Sequence, residues 1–254
     1  DDQTVESAEK RIGFIEQKLM GDPTDDELSE VIFEEKIGVG SYGTIWRACQ
    51  GALKRKVAVK FIHDNQKGTA QVALSHAKPL AQLGYHPNIV IIHDCRFLRH
   101  PETGIQNVGV IMEYVDGIRL DERLRQPLSH DAVIKIGISI AGAIAFLHSK
   151  GLIHGDFHAG NVIVSGDVAK VIDIFNEKSI STISTGRLEQ EINADIEDLK
   201  GLLIELLDAG RVQSIPLRDR IDWVRASAAK EVQEIFTKYV EESKPVMEHA
   251  SNER

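Results

Sequence analysis

The chain has little cysteine, no surplus of positive charge and no long uninterrupted apolar run. Cys49 and Cys95 are its two cysteines, and neither stands in a C-x-x-C pair. That excludes a disulfide framework and makes a reducing cytoplasm the expected location. Lys and Arg number 30 against 39 Asp and Glu, a net charge of −9. Nucleic-acid binders usually carry a basic footprint, so no nucleic-acid partner is expected. The longest apolar stretch, "AVIKIGISIAGAIAFLH" at residues 132–148, contains Lys135 and many small residues. It falls short of a membrane span and reads as a buried helix, so no membrane association is expected. No signal-peptide pattern opens the chain, and its first residue is not Met. It is therefore expected to be part of a longer protein whose regulatory partners are unknown.

What is present is ordinary for a globular protein: 254 residues, 42% hydrophobic and 27% charged. That length supports one large domain or two lobes. Residues 1–30 form an acidic extension with a thin helical stripe (Val5, Ala8, Ile12, Ile15, Leu19) that "GDPTDDE" breaks. From Val31 the pattern turns to strands: "VIFEEKIGVG", "GTIWRAC" and "KVAVKFI". A helix is predicted over residues 69–83, then two strands, "IVIIHDCRFL" and "VGVIMEYV". Beyond Gly117 the chain reads as helical, except for "NVIVSG" and "VAKVID", which the turn Ser165-Gly166-Asp167 marks as a hairpin. The expected architecture is α+β. A small five-stranded antiparallel N-lobe with one helix spans residues 31–112, and a hinge spans 113–117. A larger, mainly helical C-lobe spans 118–245, and a tail spans 246–254.

Three motifs carry chemistry. "IGVGSYGTI" sets Gly38, Gly40 and Gly43 as G-x-G-x-x-G. No helix opens after the third glycine, so the dinucleotide reading loses its helix-terminus phosphate site. A glycine hairpin whose backbone N–H groups can approach phosphates remains. In "VAVKFI", a period of two puts Ala58, Lys60 and Ile62 on one face and Val57, Val59 and Phe61 on the other. A small residue beside a lysine leaves room for a flat base with a cation near its phosphates. The third motif is "HGDFHAGN", residues 154–161. His154 and His158 are four apart, but two glycines argue against a helical metal pair. Asp173 in "KVIDIF" and Asn161 instead supply hard oxygens of the kind Mg²⁺ takes beside phosphate oxygens. Asp156 is then free to orient a hydroxyl and accept its proton.

In this order and rough spacing, the pieces resemble the protein-kinase-like superfamily over residues 31–245: glycine loop, "VAVK", "HPNIV" at 86–90, "MEYVDG" at 112–117, catalytic loop and metal Asp. The resemblance implies ATP and Mg²⁺ as cofactors and a protein hydroxyl as acceptor. It implies that Gly38, Val39, Gly40 and Gly43 cover the phosphates, which Lys60 binds, and that Asp156 is the base. By the same resemblance Asn161 and Asp173 hold the metal, and Ile45, Ala58 and Ile163 sandwich adenine. Met112 guards the pocket, with Glu113 and Val115 offering backbone groups. Asp195, leading "DIEDLKGLLIELL", would tether the catalytic loop.

The departures bear on function as much as the matches. No Asp or Glu occurs between Asp64 and Asp94, and His76 stands where the family's helix places an acid to pair with Lys60; Pro79 follows and should kink that helix. The metal motif reads Asp173-Ile174-Phe175, without the usual glycine. The stretch to Asp195 is short and lacks A-P-E, Lys244 stands where the partner Arg of that motif would fall, and "SISTIST" at 179–185 offers hydroxyls in a solvated loop. Gly155 and His158 replace the usual Arg and Lys, so "HGDFH" is similar to the loop of aminoglycoside and choline kinases. The expected activity is that of an atypical bacterial serine/threonine protein kinase. A small-molecule kinase and a pseudokinase scaffold stand as alternatives.

Overall fold

The computed structural model describes residues 30–40, 43–51, 53–62, 83–174, 185–211 and 237–238. The expected acidic extension, the helix at 69–83 with His76 and Pro79, Lys244 and the tail at 246–254 lie outside the described residues, except for Glu30 and Leu83. The Ser/Thr cluster is described only at Thr185.

The N-lobe is a five-stranded antiparallel sheet in the order β1-β2-β3-β5-β4. Its strands are β1 (Val31–Gly40), β2 (Gly43–Gln50), β3 (Arg55–Ile62), β4 (Ile92–Arg99) and β5 (Gln106–Glu113). The alternation read in β3 governs how the lobe packs. Val57, Val59 and Phe61 join Trp46, Ala48 and Ile111 in a small cluster on one face. Ala58 and Ile62 point to the opposite face and join the large core shared with the C-lobe. Gly43 is the tightest point of the sheet, because a Cβ there would lie 1.9 Å from the Phe61 carbonyl oxygen.

β4 begins three residues later than the sequence pattern predicts. Residues 88–90 instead run beside a C-lobe strand: Val90 N–H donates to Val171 O (2.9 Å), and Val171 N–H donates to Asn88 O (2.8 Å). Ile89 forms a parallel bridge with Val171, and Asn88 Nδ2 donates to Ala169 O at 2.9 Å. His86 stacks on Phe146, ring centroids 4.8 Å apart. The "HPNIV" segment thus joins the lobes before β4 starts. The apolar character that suggested a longer strand is used in this junction.

The C-lobe holds β6 (Ile118–Arg119), α1 (Leu120–Arg123), α2 (His130–Ser149), β7 (Val162–Ser165), β8 (Val168–Val171) and α3 (Thr185–Ala209). The predicted hairpin is β7–β8, and β6 adds a third strand through Ile118–Val164 and Arg119–Ile163 pairs that a two-residue strand did not announce. Ser129 caps α2, accepting from Ala132 N–H at 3.2 Å. By length and apolarity α2 alone among the described helices could cross a membrane. Here its Ile136, Ile140, Ile144 and Leu147 are fully buried in the core with Leu199, Leu203 and Leu206 of α3. Lys135, which interrupts the apolar run, reaches Asp131 (2.6 Å) and Asp167 (3.1 Å) at the surface.

Neither cysteine is activated. Cys49 donates to Glu34 Oε1 at 3.0 Å, which holds its thiol up, and burial pushes the Cys95 thiol up to about 11.

Gly43→Ala should destabilise the protein by about 2–3 kcal/mol, because the methyl meets backbone that cannot move aside. Gly201→Ala, on an exposed turn of α3 where a Cβ meets nothing within 4 Å, should stabilise by about 0.5–1 kcal/mol. Urea denaturation of the two variants checks both signs.

Candidate active site

The cleft is assembled by register. On its N-lobe side Gly38 pairs with Ile45, Ile45 with Lys60, and Ala58 with Met112. A Cβ on Gly38 would touch only Ile45, at 3.6 Å, and one on Gly40 only the Gly43 carbonyl, at 4.0 Å. The backbone at these two glycines is therefore open to an approaching group, and Val39 between them is 72% exposed. Residues 41 and 42 lie outside the described residues. Lys60 is buried, and its amine pairs with the carboxylate of Asp173 across the cleft.

Asp173 has φ +59, in the left-handed region that a residue other than glycine or asparagine rarely enters. It follows the β8 strand end, and its neighbour Ile174 is fully buried in the core. The turn directs the carboxylate at Lys60 while the next side chain packs inward.

The catalytic loop hangs from a buried acid on α3. Asp195 is fully buried; Oδ2 accepts from His154 N–H and Oδ1 from Gly155 N–H, each at 2.7 Å. His148 Nε2, in the last turn of α2, donates to the same carboxylate at 3.0 Å. Gly155 stands at φ +76, a conformation that suits glycine. The His154 ring donates from Nε2 to Ile172 O at 3.0 Å and lies edge-on to Phe157. Burial lowers its pKa, so it is held neutral.

The loop closes in a 3₁₀ turn, Ala159–Asn161. Asn161 is buried and donates from Nδ2 to Asp156 O at 2.9 Å, and its carbonyl accepts from Ile172 N–H at 2.9 Å. Its side-chain oxygen is then the atom left for a cation. Asp156 itself is more than half exposed. His154 and His158 do not converge on one point. The first is locked to β8 and the second faces Asn161.

At the hinge, Met112 is buried and Glu113 N–H bonds Ile91 O at 2.9 Å, so Glu113 has only its carbonyl to offer from the backbone. Val115 packs against the large core. Ile163 lies half-buried on β7. Gly117 runs so close to β7 that a Cβ would sit 2.5 Å from Val164 O and 2.7 Å from Ile163 Cγ2. Sequence reasoning missed two supports here. One is His148. The other is Lys170, whose amine lies 2.6 Å from both Glu113 carboxylate oxygens and ties the hinge to β8. A lysine inside an otherwise apolar strand was the available signal for the second.

Together these features define a two-lobed phosphotransfer fold of the kinase type, with a glycine hairpin above and an acid–amide loop below. The family model for protein tyrosine and serine/threonine kinases matches residues 31–191, and the chain belongs to that family. Among curated relatives, PknK of Mycobacterium tuberculosis, named a serine/threonine-protein kinase, is 29% identical over 147 residues, which is 55% of this chain and 12% of that protein. A probable serine/threonine-protein kinase PknB of Lactococcus lactis is 32% identical over 158 residues, 59% of this chain and 24% of the relative. An Arabidopsis thaliana receptor-like protein kinase-like protein named for the leaf rust 10 disease-resistance locus is 32% identical, covering 58% of this chain and 23% of its own length. The chain thus spans a quarter or less of the curated relatives it matches.

Two measurements test this site. Asp195→Ala should cost about 3 kcal/mol, since it orphans two buried N–H donors. Loss of under 0.5 kcal/mol in urea denaturation would show that the loop holds itself. The pKa of His154 is lowered on folding, so the unfolded chain binds the extra proton. Stability should therefore be intact above the ordinary imidazole pKa of about 6.5 and fall as pH drops below it. Denaturation midpoints between pH 7.5 and 5 should decline, and His154→Gln should flatten that decline.

Proposed function

We propose that this domain transfers the γ-phosphoryl group of ATP to a serine or threonine hydroxyl of a protein, with Mg²⁺ as the metal. The observation that carries the reading is the Lys60–Asp173 contact. Residues 113 positions apart, a buried cation from β3 and a carboxylate after β8, meet where the two lobes face each other. Both cofactors fit the residues present. Among the described residues no cluster of three or more His, Cys, Asp or Glu could cage a metal. One carboxylate (Asp173) and one amide oxygen (Asn161) suit Mg²⁺, which completes its shell with phosphate oxygens and water. Small Ala58 on β3 and half-buried Ile163 on β7 would flank an apolar base, and Gly38 and Gly40 present bare backbone.

The chain's own residues then divide the work. Lys60 turns from Asp173 to the phosphates and offsets their charge. Asp156 is exposed enough to meet an incoming hydroxyl and takes its proton as the new P–O bond forms and the bond from the γ-phosphorus to the β-phosphate oxygen breaks, releasing ADP. Asn161, fixed through Asp156 O, holds the metal-binding side of the loop at a set distance from the base. Mg²⁺, when bound, neutralises charge on the phosphoryl oxygens. A pseudokinase reading has two observations in its favour, the absence of any acid between Asp64 and Asp94 to hold Lys60 from the helix side and the missing glycine in Asp173-Ile174-Phe175.

MgATP at millimolar concentration should raise the melting temperature, since it binds the folded state alone. Label from γ-labelled ATP should pass to protein and vanish in Asp156→Asn. Lys60→Met should keep the fold at some cost in stability, because the Asp173 carboxylate it leaves unpaired is about a quarter exposed and can be hydrated, while transfer is lost. A melting shift with no label transfer would favour the pseudokinase.

A further inference from the structure

The surface beside Asp156 carries a directional chemistry of its own. Moving away from the base along the loop, the next side chain is His158, with Nε2 3.9 Å from Asp156 Oδ2, too long for a hydrogen bond. Gly160 N–H donates to His158 Nδ1 at 3.0 Å, and the Asn161 amide nitrogen, which gives one hydrogen to Asp156 O, lies 3.2 Å from Nε2. The His158 ring is thus held beside the base by its own loop.

Arg119 stands on the other side of Gly160. A Cβ on Gly160 would lie 2.7 Å from Arg119 Nη2 and 2.8 Å from His158 Cε1, so the two side chains flank a single glycine that leaves room for both. Arg119 comes from β6, which pairs it with Ile163 of β7. Its Nε and Nη2 donate to Asp121 at 3.0 and 2.8 Å. That pairing aims the guanidinium, and it leaves Nη1 and the second Nη2 hydrogen for another acceptor. Asp156, His158 and Arg119 are each more than half exposed. The row reads carboxylate, imidazole, guanidinium, with the Asp121 carboxylate paired to the last. Beyond the base, the donors open to a ligand are those of the Arg119 guanidinium that Asp121 leaves unused.

Resting on the phosphotransfer reading above, we propose that Arg119, with His158 beside it, selects the acceptor: the hydroxyl that reaches Asp156 is flanked by a carboxylate side chain that Arg119 receives. The acceptor class is an acidic protein segment. Arg119 makes this contact itself and takes no part in moving the phosphoryl group.

The test is a peptide library around a fixed serine or threonine, with acidic, neutral or basic flanks, assayed with MgATP alongside autophosphorylation. The readout is the ratio of kcat/KM for acidic over basic flanks. The wild type should favour acidic flanks at least about fivefold, the effect of one partly exposed charge-assisted contact. Arg119→Ala should bring the ratio towards one, and Arg119→Glu should invert it, with each variant's melting temperature checked for folding. A wild type indifferent to charge, or preferring basic flanks, overturns the proposal and leaves the kinase reading standing. So does a ratio that survives both substitutions. Autophosphorylation without any peptide transfer also counts against it, since the library contains acidic acceptors. Absence of transfer of every kind removes the kinase reading and this proposal with it.

Discussion

One buried carboxylate determines whether the site exists. Asp195 lies inside the C-lobe on α3 and would cost far more than it contributes if left unpaired. Two backbone N–H groups of the loop and one imidazole satisfy it. In exchange, it fixes residues 154 and 155, and the rest follows by a chain of short contacts. The His154 ring holds Ile172 O, Ile172 N–H returns to Asn161 O, and Asn161 Nδ2 holds Asp156 O. Asp156 and Asn161, the proposed base and metal ligand, are thus set relative to one another. The price of this arrangement is one buried nitrogen, His148 Nδ1, with no partner among the described residues.

The second organising element is the two-faced strand β3. One face completes a small cluster under the sheet, and the other reaches into the core that runs through both lobes. Lys60 sits on the cleft face with little solvent to screen it, so its charge is worth more there than at the surface. Asp173 answers it from the other lobe. In protein kinases at large an acid from the N-lobe helix shares that task, and this sequence has none available between residues 64 and 94. Asp173 therefore stands as both counter-ion and prospective metal ligand, with its left-handed backbone setting where the carboxylate points.

Much of this was legible in the sequence because it is written in short-range patterns. Strand alternation gave both faces of β3, the apolar run at 132–148 gave α2, and the Ser165-Gly166-Asp167 turn gave the β7–β8 hairpin. Asp156, Asn161 and Asp173 stood out because polar groups between apolar strands need a reason. What escaped was long-range pairing. Nothing local announces that residues 88–90 lie along β8 rather than within β4, or that Lys170 meets Glu113 from 57 residues away. His148 reads as one more residue of an apolar helix until the buried acid beside it is known. Gly160 looks like loop filler until two side chains are found on either side of it.

The attachments of β8 also decide how the cleft can open. Among the described residues, two segments that pass between the lobes are fastened to this one strand, the incoming one through Val171 and the outgoing one through Lys170 and Glu113. The Lys60–Asp173 pair adds a further contact across the cleft. A nucleotide bound there, as proposed above, would have to part Lys60 from Asp173, while the ties at Val171 and Lys170 can stay made.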